Sequence, residues 1–367
     1  MQRRRKFAAL LTHCTNSLIM AVDLSNFDPN SVGLKNNTIF GLPFSEEDAA
    51  VVLLPVPWEV TVSYRPGTAR GPEHVFESSL QIDLYDAETP DVWKKGFYMM
   101  PVDKNIRKKS DYLRQCAELI ISHLGDGGVV AENELLSERL KEINKGGRMV
   151  RDWVREMTLT QLKAGRKVGL LGGDHSTPLG FVHALGEMNP DGFGVLQIDA
   201  HADLRNAFEG FTYSHASIMY NVLEEVPAVQ KLVQVGIRDY CDEEVDYAKS
   251  QGERVVMFTD AAIKERFFDG QTWKQVCDDI VAALPQKVYI SFDIDGLDPK
   301  LCPNTGTPVP GGFEVEQIYY LFKRVAQSGR QIIGFDLNEV SCGEHSEGID
   351  AIVGARVLYK LCNYLAV

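Results

Sequence analysis

Six short apolar runs recur through the second half of the chain, at 167–171, 194–198, 231–235, 254–258, 288–292 and 332–335. Most are apolar at consecutive positions, the pattern of strands covered on both faces. Segments with helical spacing separate several of them. Buried strands alternating with helices make a parallel sheet with helices on both sides. Two earlier runs, AVVLLPVP at 50–57 and residues 97–102, bring the total to about eight strands in one layer. The expected fold class is therefore α/β.

Residues 103–167 form the longest stretch without a strand. Apolar residues recur there at helical spacing, as in Tyr112, Cys116, Leu119 and Ile120, and again in Val154, Met157 and Leu162. LGDGG at 124–128 divides the stretch into two helices. No Pro- or Ser-rich linker, repeat or low-complexity segment marks a boundary. A single domain over 50–367 is expected, preceded by an N-terminal extension, 1–49, that is partly disordered. The opening MQRRRKFAALLTHCTNSLIMAV has a basic start and an apolar run broken by His13, Asn16 and other polar residues. It resembles a signal peptide only faintly, and a tail, or a natural start at Met20, is the preferred reading.

The 367 residues carry a formal net charge of −13. That argues against nucleic acid and anionic membranes as partners and favours a cationic small molecule. Seven cysteines, scattered, odd in number and without a CxxC pair, are expected to be reduced thiols of a cytoplasmic protein. No apolar run approaches the roughly 18 residues of a membrane helix.

Ligands of open α/β sheets gather beyond the carboxyl ends of the strands. There the chain places Gly172-Gly173-Asp174-His175-Ser176, then Asp199-Ala200-His201-Ala202-Asp203, then DIDGLDP at 293–299, and finally Asp336 and Glu339. Thr177-Pro178 reads as N-cap and first residue of the next helix. A lone histidine after a Gly-Gly turn is usually a loop residue, and a lone Asp at a strand end is usually a helix cap. DAHAD is more specific, because a cap uses only one of its three polar side chains. Three loops that put His or Asp on one edge of one sheet describe a metal site. Four aspartates and two histidines without thiolate suit manganese better than structural zinc. Six ligands are too many for one ion with an open position, and four carboxylates balance two divalent ions. Two ions about 3.5–4 Å apart activate water for hydrolysis.

GGDHS, DAHAD and SFDIDGLDP (291–299) resemble the three signatures of the ureohydrolases, the arginase and agmatinase family, and the resemblance runs from about residue 50 onward. It implies a three-layer α/β/α sandwich with a central eight-stranded parallel sheet, and homo-oligomers, trimers or hexamers. It implies two manganese ions per subunit. His175, Asp199, Asp203 and Asp293 would hold one, and Asp199, His201, Asp293 and Asp295 the other, with Asp199 and Asp293 bridging. It further implies that His215, in YSHA, transfers a proton and that Glu339, in NEV, holds the guanidinium; Asp203 is expected in addition to orient the attacking water. The implied reaction releases urea and a primary amine. Outside this context His215 reads as a surface loop histidine and Glu339 as a helix-start carboxylate.

SYRPGTARGP (63–72) and HADLRNAFEGFTYSHA (201–216) resemble agmatinases more than arginases, whose Asn-rich loop is replaced here by LRNAFE at 204–209. Agmatine, cleaved to putrescine and urea on a route to polyamines, is the expected substrate. Formiminoglutamase, guanidinobutyrase and arginase activities are the alternatives. Arg205 would repel a cationic substrate and could instead bind an acidic one. Its plainer reading is an ion pair with a neighbouring acid such as Glu209. A metal-binding regulatory homologue without activity is the alternative of another class. The presence of all six ligands, His215 and Glu339 weighs against it.

Overall fold

A computed structural model describes residues 22–343 and 348–367. The expected tail therefore lies, up to residue 21, outside the described residues. The strands are β1 (Val51–Pro55), β2 (Phe97–Met99), β3 (Lys167–Leu171), β4 (Phe193–Ile198), β5 (Val229–Ile237), β6 (Val255–Thr259), β7 (Lys287–Asp293) and β8 (Gln331–Asn338). They form one eight-stranded sheet in the order β2-β1-β3-β8-β7-β4-β5-β6, and every neighbouring pair is parallel. Expected and observed strands coincide to within a few residues. β7 and β8 run further than expected, so Asp293 and Asp336 lie within strands: Asp293 pairs in register with Asn338, and Asp336 with Ser291.

The helices are α1 (Gly71–Ser79), α2 (Lys104–Gly125), α3 (Glu134–Lys163), α4 (Leu179–Met188), α5 (Ile218–Glu225), α6 (Asp242–Ser250), α7 (Asp260–Phe268), α8 (Trp273–Ala283), α9 (Val315–Gln327) and α10 (Ile349–Ala366). Alternate residues of each strand serve two separate cores, which makes a three-layer sandwich. Leu196 and Ile198 of β4 join α1 and α7–α10, while Phe193 and Val195 join α2–α5. Ile39, Phe40 and Leu42, ahead of β1, are buried in the first core.

LGDGG ends α2 as expected, and the Asp103 side chain caps its start by accepting from the Asn105 and Ile106 amides. The expectation for Thr177 is corrected. Pro178 is the N-cap of α4 and Leu179 its first residue. The Thr177 hydroxyl lies 2.8 Å from Asn338 Oδ1 and 3.0 Å from the Asp174 carbonyl, so it ties the loop to β8 instead of capping a helix. No helix among the described residues is long and apolar enough to cross a membrane.

Candidate metal centre and catalytic site

β3, β8, β7 and β4 are consecutive neighbours in the sheet, and their carboxyl ends carry the GGDHS, DAHAD and DIDGLDP motifs with Asp336 and Glu339. The geometry follows from the local chain. A Cβ at Gly173 would lie 1.9 Å from the Trp58 carbonyl, so glycine is what lets this turn lie flat and aim His175 across the strand ends. His175 Nδ1 is 2.9 Å from Asp199, 3.0 Å from Asp203 and 3.3 Å from Asp293. It is buried and makes no hydrogen bond to any of them. A buried nitrogen aimed at three carboxylates without hydrogen-bond geometry is what a set of metal donors looks like.

Two groups could each hold an ion: His175, Asp199 and Asp293, and Asp199, His201 and Asp295, each with ligand atoms within 4.8 Å of one another. Asp199 belongs to both. His201 Nδ1 is 3.0 Å from Asp295 and 3.6 Å from Asp199. The set of carboxylate oxygens and imidazole nitrogens, without thiolate, fits divalent metals that prefer oxygen and nitrogen.

One row of side chains beneath this cluster is only partly visible to a reading by motifs. Gln234, Gln197, Ser291 and Asp336 are fully buried and stand side by side in register across β5, β4, β7 and β8. Gln234 Nε2 donates to Gln197 Oε1 at 2.7 Å, and Gln197 Nε2 donates to Asp199 at 2.8 Å. His175 Nε2 lies 2.9 Å from Ser291 Oγ, which donates to Asp336 at 3.0 Å. The chain Asp336–Ser291–His175 places the ring proton on Nε2 and leaves Nδ1 to face the carboxylates, the tautomer a metal needs.

The electrostatics suit a cation. Burial pushes Asp203 up to about 7, with Asp199 adding to the effect. Burial, then Asp295 and Asp199, raise Asp293 well above the usual carboxylate range. Burial opposes ionisation of Asp199, but the close approach of the His175 and His201 rings overcomes it and lowers its carboxyl. Burial likewise disfavours charge on His175, yet the carboxylates of Asp199, Asp203 and Asp293 raise it well above the normal range. Without metal the cluster holds protons where cations would sit.

A cavity of about 170 Å³ opens over the cluster and is lined by His201, Asp203, Arg205, Phe208, His215 and Glu244, with Ser63, Asp239, Tyr240 and Thr307 also contributing. A larger groove of about 700 Å³ lies beside β2 and contains none of the motif residues. His215 is half-buried, and burial, with His201 and His175 nearby, pushes its imidazole down to about 3, so it is neutral at neutral pH. Glu339 is buried and does not start a helix. It follows β8 with φ of 63°, and its Oε1 accepts from the His175 amide at 2.9 Å. Asp203 (φ 55°) also occupies the left-handed region, which a non-glycine residue adopts only under constraint. The expected partner of Arg205 is corrected. Its guanidinium pairs with buried Glu244 at 3.7 Å and lies over the Phe208 ring, 4.9 Å from the centroid. Glu244, from the first turn of α6, is itself fixed by the Leu204 and Cys241 amides.

Residues 49–363 match the family model described as the arginase family. The chain is 32% identical to an N(1)-aminopropylagmatine ureohydrolase of Synechocystis sp., across 87% of this chain and 90% of that one. It is 33% identical to the ureohydrolase of the same name from Thermococcus kodakarensis, across 85% and 90%. The crystal structure of agmatine ureohydrolase of Thermoplasma volcanium shares the fold, with a TM-score of 0.67, 20% identity and coverage of 93% and 96%.

Proposed function

This chain belongs to the arginase family and is a hydrolase of guanidino compounds, and we propose that its substrate is a cationic alkylguanidine, agmatine or its N(1)-aminopropyl derivative. The observation that carries this is the Arg205–Glu244 pair at 3.7 Å. It neutralises the one arginine at the cavity and leaves Asp239 as a further negative group on the rim. A positively charged tail is then attracted, and an acidic one is not. The names of the two relatives favour the N(1)-aminopropyl derivative.

His175, Asp199, Asp203 and Asp293 would hold one manganese ion, and Asp199, His201, Asp293 and Asp295 the other. The pair of ions supplies the activation of water for hydrolysis. Asp203 orients that water. Glu339 Oε1 is committed to the His175 amide, and its second oxygen pairs with the planar guanidinium. His215, kept neutral by its surroundings, accepts a proton and passes it to the leaving amine. The products are urea and the amine. This reading includes a cytoplasmic homo-oligomer, a trimer or hexamer, which light scattering tests.

The deciding experiment is urea release with Mn²⁺ from agmatine, N(1)-aminopropylagmatine, arginine and guanidinobutyrate, with formamide release from formiminoglutamate in parallel. The cationic substrates should give the highest kcat/KM. A clear win for an acidic substrate refutes the assignment. Absence of turnover with every compound points to the regulatory alternative.

A further inference from the structure

The long stretch between β2 and β3 reaches the site through α3. Asn144, Gly147 and Arg151 are spaced to share one face of that helix, and all three meet the loop that runs from Arg205 to His215. Asn144 Oδ1 accepts from the Thr212 amide at 2.9 Å, and its Nδ2 donates to the Gly210 carbonyl at 3.1 Å. The gripped segment is a two-residue hairpin. Phe208 and Phe211 exchange backbone hydrogen bonds of 3.3 and 2.8 Å, and Glu209 and Gly210 both have positive φ, 55° and 85°. A glutamate in that conformation needs outside support.

Gly147 supplies room for the same loop: a Cβ there would lie 2.6 Å from Tyr213 Cβ. Arg151 donates to the Tyr213 hydroxyl at 3.3 Å and covers its ring. On the cavity side the hairpin presents Phe208, whose ring meets His215 edge-on with centroids 6.2 Å apart.

We propose that Asn144 is a positioning residue: by clasping Gly210 and Thr212 it sets Phe208 against His215 and so fixes the imidazole over the cluster. The catalytic consequence rests on the role proposed for His215; the clasp itself does not. Asn144→Leu keeps the shape and removes both hydrogen bonds. Asn144→Asp keeps the acceptor for Thr212 and loses the donor. Two readouts are needed, hydrogen exchange at Thr212 and steady-state hydrolysis of agmatine with Mn²⁺.

Asn144→Leu should speed exchange at Thr212 by about tenfold, the factor expected for one lost hydrogen bond. It should lower kcat by about tenfold through misplacement of His215, with KM changed less than about twofold. Asn144→Asp should fall between wild type and Asn144→Leu. Gly147→Ala, which favours the helix but pushes on Tyr213, should lower kcat in the same way. Val154→Ala, in the buried face of the same helix, should leave both readouts near wild type below its melting temperature. Unchanged exchange and kcat in Asn144→Leu overturn the proposal. So does an equal loss of kcat in Val154→Ala, because the effect would then be loss of α3 packing. Wild-type protein that releases no urea from either agmatine or N(1)-aminopropylagmatine contradicts the proposed function, and Thr212 exchange then decides the clasp alone.

Discussion

Asp199 and Arg205 stand six positions apart on one loop, and their surroundings follow different rules. Asp199 is wholly buried, and its oxygens are gripped by Gln197 and the His201 amide, with His175 alongside. Each partner comes from a strand or from the first residues after one. Arg205 has a third of its side chain exposed and holds one acid at 3.7 Å and one ring. Its partners come from α6 and from a hairpin held by α3. The strand ends thus build a cluster in which few side chains can change, and the rim is assembled from helices and loops that can vary independently. The proposed function places the chemistry in the first region and the choice of substrate in the second.

The comparison breaks most sharply at a ligand. Asp293→Ala should remove both metal and turnover, measured by metal content after dialysis and by urea release. Retained metal at the wild-type stoichiometry would show that the cluster is not the centre. One layer down, Ser291→Ala strips the partner from His175 Nε2 and leaves Asp336 with Asn338. Metal affinity should fall by about 10–100-fold with the ligands intact, measured by competition with a chelating dye. No change would mean the buried row merely fills space.

Metal removal gives a third test. In the stripped protein Asp203, raised to about 7 by burial and by Asp199, binds a proton more tightly folded than unfolded, where it titrates near 4. Its stabilising contribution is present at low pH and is lost as pH rises through about 7. His175, also raised, acts in the same direction. The melting temperature of the stripped protein should therefore fall by a few degrees between pH 6 and 8, and that of the Mn²⁺-loaded protein should not. A rise in the stripped protein would contradict the assigned electrostatics. The smallest effect belongs to the rim. Arg205→Leu frees the Glu244 charge and should shift the preference for agmatine over guanidinobutyrate upward by about two- to fivefold, the range of a partly exposed ion pair. A shift toward guanidinobutyrate would mean that the charges of Arg205 and Glu244 do not set the preference at the rim.

The eight strands and six candidate ligands were legible because both obey short-range rules. Apolar runs identify the strands, and alternation places Asp199, His201 and Asp203 on a common edge. The buried row was not legible by the same means. Gln197 reads alone as a tolerated polar residue in an apolar run, Ser291 as the first residue of SFDIDGLDP, and Asp336 as one more acid at a strand end. Their shared offset, two residues before Asp199, Asp293 and Asn338, has meaning only once β4, β7 and β8 are known to be neighbours. Arg205 was given a local partner, Glu209, because Glu244 is 39 positions away in sequence. The positive φ of Glu209 places it instead in the turn of a hairpin. Asn144 carried no signal at all, since a helical asparagine acquires its role only from the loop it meets.

The position of β8 has a consequence for how the molecule is made. It is the last strand in chain order, yet it lies between β3 and β7 in the middle of the sheet. One half of the sheet, β2-β1-β3, ends in His175, and the other, β7-β4-β5-β6, ends in Asp199, His201, Asp203, Asp293 and Asp295. Neither half contacts the other through strand pairing until β8 enters, with pairs such as Gly169 and Phe335 separated by more than a hundred and fifty residues. Contacts that distant form slowly. A nascent chain would therefore carry two incomplete sets of candidate ligands, brought together only when β8 enters and the sheet closes.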